Sequence, residues 1–311
     1  MPRQHKMVRC TECHTYTRSD HLARHMERKH RRTLQPTSTA VLPPISSGIV
    51  NNNNDDISKY VWKINDRVER NHSPIFPRDI RALIVGKSGC GKTVVLAHLL
   101  LQPGMLDYDT LNVCGNSLHQ PVYHILNKAF GKGLSKNQVR AIFENQSLLQ
   151  KQYPVGGIDQ FIDRYSERRK GGINAQFLED VADIPDPRDH DPNSKTLLVL
   201  DDIMLGPQNK AEAYYTRGRH NNIDTIYITQ NYFHLPRQTV RENANLIMLF
   251  KQDGKNMNHI HQDHCTDIPF DEFRDFCNDV WAQGEHNFVT INLAVPGGAR
   301  QGKYRCNFTN L

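Results

Sequence analysis

The chain has 311 residues, enough for one sizeable domain and a small additional module. Hydrophobic residues make up 38% and charged residues 23%, values typical of a soluble globular protein. No apolar run approaches the ~20 residues that cross a bilayer, and the N-terminus MPRQHKMVRC lacks the apolar part of a signal peptide. We therefore expect an intracellular protein that has no membrane partner.

Charge is unevenly distributed along the chain. There are 39 Lys and Arg residues against 33 Asp and Glu residues, and residues 1–32 hold nine of the basic residues but only three of the acidic ones. The remainder is balanced, so the whole excess of +6 lies near the N-terminus. A compact basic module on a neutral body predicts a polyanionic partner for that module.

The first motif in chain order is a set of metal-ligating residues. Cys10 and Cys13, followed by His25 and His30, have the residue types of a tetrahedral zinc site. The stretch between the second cysteine and the first histidine is one residue shorter than the usual twelve or so. So small a unit needs zinc to fold, and we predict a zinc-binding ββα module over residues 8–30.

This module resembles the C2H2 zinc fingers, and its segment RSDHLARH resembles their DNA-reading helices. With Ser19 as the first helical residue, the base-facing positions are Arg18, His21 and Arg24. Since arginine pairs with guanine, the resemblance implies a G-rich triplet. Docking onto a protein, such as a capsid or a terminal protein, is the alternative role. His21 is also an alternative zinc ligand because it shares a helical face with His25.

Residues 31–56 are rich in Pro, Ser, Thr and Asn and show no periodicity, so we predict a disordered linker. Over residues 57–311, short apolar runs alternate with helical segments. These runs are ALIV (82–85), TLNVCG (110–115), TLLVL (196–200), DTIYIT (224–229) and LIMLF (246–250). This pattern predicts an α/β fold with a mostly parallel buried sheet flanked by helices. Near the C-terminus, FVTINL and KYRCNF predict a closing hairpin.

The strongest motif directly follows the first of these runs. The segment GKSGCGKT satisfies G-x-x-x-x-G-K-[ST] between a predicted strand and an amphipathic helix. Its glycines, which allow backbone N–H groups to surround phosphates, are Gly86, Gly89 and Gly91. Lys92 is predicted to neutralise the β- and γ-phosphates, and the Thr93 hydroxyl to bind Mg²⁺. We therefore predict a P-loop nucleotide site.

Polar residues that follow later strands complete this predicted site. Asp201 is the expected magnesium ligand, and Asp202 is expected to orient or deprotonate the attacking water. Gln230 ends the DTIYIT strand and is a candidate sensor of the γ-phosphate. Arg217 and Arg219 precede that strand and are candidates to reach a neighbouring subunit's nucleotide. Each set also has a purely structural alternative. The two acids could cap a helix, Gln230 could belong to a strand-end turn, and the two arginines could be solvated surface charges.

The segment GRHNNIDTIYITQNYFHLPRQTVRENANLIMLF (218–250), with LLVLDDIM and the P-loop upstream, resembles the genome-packaging ATPases of poxviruses. Relatives occur in other large DNA viruses and in Polinton/Maverick elements, all within the FtsK/HerA superfamily. The resemblance spans most of residues 81–250. It implies a RecA-like core that uses ATP and magnesium, forms a homo-oligomeric ring (hexamer or pentamer) and pulls double-stranded DNA into a capsid.

The same resemblance implies roles for individual residues. It makes Asp201 and Asp202 the acid pair, Gln230 the sensor and Arg219 the preferred arginine acting in trans, with Arg217 second. Members of the family mostly lack an N-terminal zinc finger, so the resemblance implies no role for that module.

Two other functions remain open at this point. One is a different DNA-dependent ATPase, such as a helicase, and the other is a zinc-finger regulator with a nucleotide-gated oligomerisation domain. The host nucleus, a viral factory and the virion are the candidate locations.

A cluster of His259, His261, His264 and Cys265 matches no common metal-site spacing and predicts a polar loop with solvated histidines.

Overall fold

A computed structural model describes residues 7–9, 16–18, 69–152, 157–166, 172–295 and 302–309 of the chain. The chain divides into two compact units, Met1–Trp62 and Lys63–Leu311. In the first unit, strand β1 (Met7–Arg9) pairs antiparallel with β2 (Tyr16–Arg18). The candidate DNA contact Arg18 ends β2.

The rest of the predicted zinc module lies outside the described residues. This applies to the metal ligands Cys10, Cys13, His25 and His30, to the candidate DNA contacts His21 and Arg24, and to the linker over 31–56. The zinc site and the linker therefore stay predictions.

The second unit is an α/β fold. Its strands are β3 (Arg81–Val85), β4 (Thr110–Gly115), β5 (Asn174–Leu178), β6 (Thr196–Asp201), β7 (Ile223–Thr229), β8 (Leu246–Leu249), β9 (Val289–Asn292) and β10 (Tyr304–Cys306). Its α-helices are α1 (Lys92–Leu101), α2 (Pro121–Gly131), α3 (Lys136–Glu144), α4 (Gln146–Gln152), α5 (Gly157–Ser166), α6 (Asn209–Arg217), α7 (Gly254–His264) and α8 (Phe270–Ala282). Short 3-10 turns follow β5 and α6, and a π-helical turn precedes β8.

The described strands of this unit form one eight-stranded sheet in the order β10-β9-β8-β3-β7-β6-β4-β5. The strands from β8 to β5 in that order run parallel, whereas β9 pairs antiparallel with both β8 and β10. The predicted α/β class with a mostly parallel sheet is confirmed, and the predicted C-terminal hairpin is β9–β10. Strand β5, at the sheet edge, was not predicted because its sequence NAQFL is less apolar than the central runs.

Helices cover both faces of the sheet, which explains why β6 and β7 are buried along their whole length. Because side chains alternate along a strand, Leu197 and Val199 of β6 face a core shared with α1, α2 and α3. Leu198 and Leu200 face the opposite core, shared with α6, α7 and α8. A continuous apolar strand is therefore what this sheet requires in its centre.

The strand register aligns the carboxyl ends of the central strands. Asp201 lies opposite Gly115 of β4 and opposite Ile228 of β7, and Thr229 lies opposite Val85. Loops that leave these strands therefore start at one edge of the sheet, which is where ligands bind in open α/β sheets.

The histidine cluster departs from its prediction. Residues 254–264 form helix α7, which is capped by Asp253, whose carboxylate accepts a hydrogen bond from the Asn256 N–H at 2.9 Å. His261 contacts the Ile268 carbonyl at 2.7 Å, and burial lowers the pKa of His264 to about 4. The expected polar loop with solvated histidines is therefore wrong, because one face of this helix packs into the core. Within the described ranges, no group of three or more His, Cys, Asp or Glu residues is arranged to hold a metal ion.

None of the helices in the described part of the chain combines the length and apolar character needed to cross a membrane.

Candidate nucleotide site

The predicted P-loop connects the end of β3 to the start of α1. Its positions 89 and 91 have positive φ angles, 77° at Gly89 and 106° at Gly91, which side-chain-bearing residues rarely adopt. A Cβ atom at Gly86 would lie 2.5 Å from the Cys90 sulfur, so this position also needs glycine. The first N–H groups of α1 have no partner within the helix and carry its positive dipole end. The loop therefore has the geometry and polarity of a phosphate site.

Lys92 is the first residue of α1 and turns back over the loop. Its Nζ donates hydrogen bonds to the carbonyl oxygens of Gly86 at 2.7 Å and Lys87 at 2.8 Å. From a distant part of the sequence, His286 also reaches the loop, with its Nδ1 3.2 Å from the Cys90 carbonyl oxygen. The lysine ammonium is thus held where phosphate oxygens would replace backbone carbonyls as its partners.

Asp201 and Asp202 follow β6 but have different surroundings. Asp201 is buried, and the hydroxyl of Tyr123 donates to its Oδ2 at 2.6 Å. Asp202 is partly exposed and has a left-handed backbone with φ 55°. Such a conformation costs energy in a residue other than glycine and occurs often at functional sites. The two acids therefore differ in solvation and in backbone conformation.

Gln230 and Asn116 hold Asp202 from neighbouring strands. The Gln230 Nε2 donates to the Asp202 Oδ2 at 2.9 Å, and the Asn116 Nδ2 donates to its backbone carbonyl at 2.9 Å. Gln230 follows β7, which lies between the P-loop strand β3 and the acid strand β6. This strand order brings the candidate sensor between the P-loop and the acids.

These residues surround one cavity of about 400 Å³ at the carboxyl edge of the sheet. Its lining includes Ser88, Gly89, Gly91, Lys92, Thr93, Asp201, Asp202 and Gln230. The Thr93 hydroxyl and the Asp201 carboxylate are oxygen donors of the kind that Mg²⁺ prefers, and both line this cavity. The residues therefore fit a nucleoside triphosphate with its magnesium ion.

No protein-family model matches the chain, and no curated protein matches it. Among solved structures, it is similar to the genome packaging NTPase B204 from Sulfolobus turreted icosahedral virus 2, with 10% identity over 74% of this chain and 96% of that chain and a TM-score of 0.41. It is also similar to VirB4 of Thermoanaerobacter pseudethanolicus, with 13% identity over 69% of this chain and 87% of that chain and a TM-score of 0.38.

A third similar structure is the cytoplasmic domain of the Thermomonospora curvata type VII secretion ATPase EccC. Identity is 12% over 74% of this chain and 27% of that chain, with a TM-score of 0.34.

Arg217 and Arg219 lie far from this cavity. They precede the amino end of β7, whereas the cavity lies at its carboxyl end, and the strand Ile223–Thr229 is about 20 Å long. Arg219 instead lies near Arg81, whose pKa is lowered by burial and by the charge of Arg219. Both candidate arginines are exposed, and neither has an ion pair within the part of the chain that the structure describes. Neither can reach the nucleotide of its own subunit.

Tyr123 and Asn116 contact the acid pair but were not predicted from the sequence. Asn116 follows the predicted strand β4, so the rule that picked out Gln230 as a strand-end polar residue would also have found it. The sequence contains no pattern that indicates a functional role for Tyr123, because a tyrosine inside a helical apolar pattern is usually a core residue.

The electrostatics of Asp201 predict a stabilising substitution. Burial raises the pKa of Asp201, the Tyr123 hydroxyl opposes this, and the Asp202 charge adds to it. With a raised pKa, the folded protein binds this proton more tightly than the unfolded chain, so stability falls as pH rises through that interval. Asp201→Asn is therefore expected to raise the melting temperature of the nucleotide-free protein at pH 7 by a few degrees.

Thermal melting between pH 7 and pH 4 measures this effect. The gain should shrink as pH falls, because Asp201 then becomes neutral in the native protein as well. Glu179→Gln, a change at an exposed carboxylate, is the matched control and should leave the melting temperature unchanged. A melting temperature of Asp201→Asn at or below that of the unmodified chain at pH 7 would contradict this account.

Proposed function

We propose that this chain is an ATP hydrolase that couples turnover to movement along double-stranded DNA, as a packaging motor of a viral or virus-like genome. The observation that carries the ATPase part is the single cavity lined by Lys92, Thr93, Asp201, Asp202 and Gln230. The packaging part is supported by the sequence resemblance over residues 81–250 to poxvirus-type packaging ATPases.

Each residue then has a task in hydrolysis. The loop N–H groups and Lys92 bind the phosphates, while Thr93 and Asp201 would hold Mg²⁺, which supplies positive charge to the phosphate oxygens. Asp202 orients a water molecule toward the γ-phosphorus and accepts its proton, and Gln230 positions the Asp202 carboxylate. The bond between the γ-phosphorus and the bridging oxygen breaks, giving ADP and phosphate.

ATP turnover against added DNA tests this function. We expect the intact chain to hydrolyse ATP slowly alone and faster with double-stranded DNA, with stimulation that increases with duplex length. Strand separation by the purified chain would instead favour a helicase. Nucleotide binding without turnover on any DNA would overturn the motor and favour a zinc-finger regulator with a nucleotide-gated oligomerisation domain.

We also propose that Arg219 acts on the nucleotide of a neighbouring subunit in a homo-oligomeric ring. Its place at the sheet edge opposite the cavity requires a second copy for any contact with phosphate. Arg219→Ala is expected to lower turnover about a hundredfold, because one positive charge opposite the developing phosphate charge is lost. Arg217→Ala, the matched control in the same segment, is expected to retain most of the turnover.

Mixing variants separates a role in trans from a structural role. Arg219→Ala and Lys92→Ala chains each have little turnover alone. Mixed equally, they should regain about a quarter of normal turnover, because that fraction of sites has an intact lysine and a neighbour with an intact arginine. The absence of any recovery in mixed oligomers would contradict action in trans.

For the N-terminal unit, we propose the zinc finger over residues 8–30, with the four ligands Cys10, Cys13, His25 and His30. Its basic composition suits DNA phosphates, and Arg18, His21 and Arg24 would read bases. The zinc content of the purified chain tests this proposal, with one ion per chain expected. A zinc-free folded module would overturn it.

A further inference from the structure

Tyr123 connects the apolar core to the nucleotide cavity. It lies in the first turn of α2, and its side chain is 0% exposed within the cluster that includes Leu96 and Leu126. Its hydroxyl donates to the Asp201 Oδ2 at 2.6 Å. A hydroxyl in such apolar surroundings is tolerated when it is hydrogen-bonded, and the acid strand supplies the acceptor.

Asp201 depends on this contact for its orientation. It is 5% exposed, and no other group among the described residues donates a hydrogen bond to its carboxylate. The terminal torsion of an aspartate has a broad, roughly two-fold profile, so packing alone does not fix the plane of the carboxylate. A hydrogen bond to Oδ2 fixes this plane and leaves Oδ1, in a residue that lines the cavity, without a donor among the described residues.

The same contact ties a wall of the cavity to the acid strand. Gln120 and Val122, which lie at the start of α2 just before Tyr123 in sequence, both line the cavity. Because the Tyr123 hydroxyl reaches the last residue of β6, the position of this wall and that of Asp201 are set together.

We propose that Tyr123 is a positioning residue that orients the Asp201 carboxylate toward the magnesium ion of bound nucleotide. This inference rests on the proposed ATPase function, since Asp201 has this task only if the cavity holds ATP with magnesium. Tyr123 does not touch the nucleotide and acts through Asp201. Hydrogen-bond partners of metal ligands commonly change metal affinity when they are removed.

Tyr123→Phe in the intact chain tests the inference, because it removes one hydroxyl and keeps the ring. Binding of a fluorescent ATP analogue is measured in EDTA and then across a series of free Mg²⁺ concentrations. The half-saturating Mg²⁺ concentration is expected to rise about ten- to a hundredfold, while binding in EDTA changes less than about twofold. Turnover should recover at high Mg²⁺, so the apparent requirement for Mg²⁺ changes more than the maximal rate.

Tyr108→Phe is the matched control. Tyr108 belongs to the same apolar cluster, and its hydroxyl donates to the Leu100 carbonyl at 2.9 Å, away from the acids. This variant loses an equivalent buried hydrogen bond and should keep the normal Mg²⁺ midpoint. In an Asp201→Asn background, Tyr123→Phe should no longer shift the midpoint, because the carboxylate that it orients is gone.

The outcomes separate this inference from the function on which it rests. An unmodified chain that binds no ATP analogue under any condition overturns both. If the unmodified chain binds and hydrolyses ATP while folded Tyr123→Phe has the same Mg²⁺ midpoint, only the positioning role is overturned. If Tyr123→Phe does not fold, equal Mg²⁺ midpoints for Asp201→Asn and the unmodified chain would overturn it, since there would be no role for Tyr123 to support.

Discussion

Lys92→Ala is expected to lower ATP turnover about a thousandfold or more while the chain stays folded. The ammonium group lies at the start of α1, held by two loop carbonyls at 2.7 and 2.8 Å. With ATP bound, it would exchange these carbonyls for phosphate oxygens, and its charge would then stabilise the charge that develops as the γ-phosphoryl group leaves. Alanine removes this charge from a site whose remaining N–H donors are only partly positive.

Lys87→Ala is the matched control for this experiment. Lys87 belongs to the same loop, but its side chain is exposed, and it is the backbone carbonyl that contacts Lys92. Since alanine keeps that carbonyl, Lys87→Ala should retain most of the turnover. Steady-state rates with and without DNA, together with melting temperatures, measure both variants. Equal loss in the two variants would indicate general disruption of the loop and not a specific role of Lys92.

Asp224→Ala is expected to lower the free energy of unfolding by about 3–5 kcal/mol. Its carboxylate lies at the amino edge of the sheet, where it pairs with the Arg70 guanidinium, lies 2.9 Å from His72 Nε2 and accepts the Ile80 N–H at 2.8 Å. The side chains of Arg70 and Asp224 are both 2% exposed. Removing the carboxylate leaves a buried guanidinium without a counter-charge, which is far costlier than losing a surface ion pair.

Urea unfolding measures this loss, and the melting temperature should fall by roughly 10 °C or more. Asp224→Asn should be intermediate, because it keeps an acceptor for the Ile80 N–H but loses the charge. Glu179→Ala removes an exposed carboxylate that directly follows the edge strand β5. It should change stability by less than about 0.5 kcal/mol. A loss below about 1 kcal/mol for Asp224→Ala would show that the buried cluster is not required for stability.

Strand order could not be predicted from the sequence. The apolar runs predicted where strands lie, because a strand buried on both faces must be apolar at consecutive positions. They contain no information on which strands are neighbours. The placement of β7 between β3 and β6, which brings Gln230 within 2.9 Å of Asp202, depends on long-range packing.

The prediction for the histidine cluster was wrong for a related reason. Its residues are polar in type, and their spacing matched no common metal site, so a polar loop with solvated histidines was expected. Burial of His264 and Cys265 depends on the side chains that surround them, including Tyr232, which lies far away in the sequence. Polarity of a residue type is a weak guide to burial when a distant partner supplies the hydrogen bond.

By itself, the sequence determined the α/β class, the P-loop and the acids at a strand end, because each depends on a short contiguous pattern tied to local backbone geometry. Only the tertiary structure decided that Tyr123 donates a hydrogen bond to Asp201, that Gln230 donates one to Asp202 and that Arg219 lies at the opposite edge from the cavity. These relations join segments tens of residues apart. Such segments meet only when the sheet forms and burial selects which polar groups must pair.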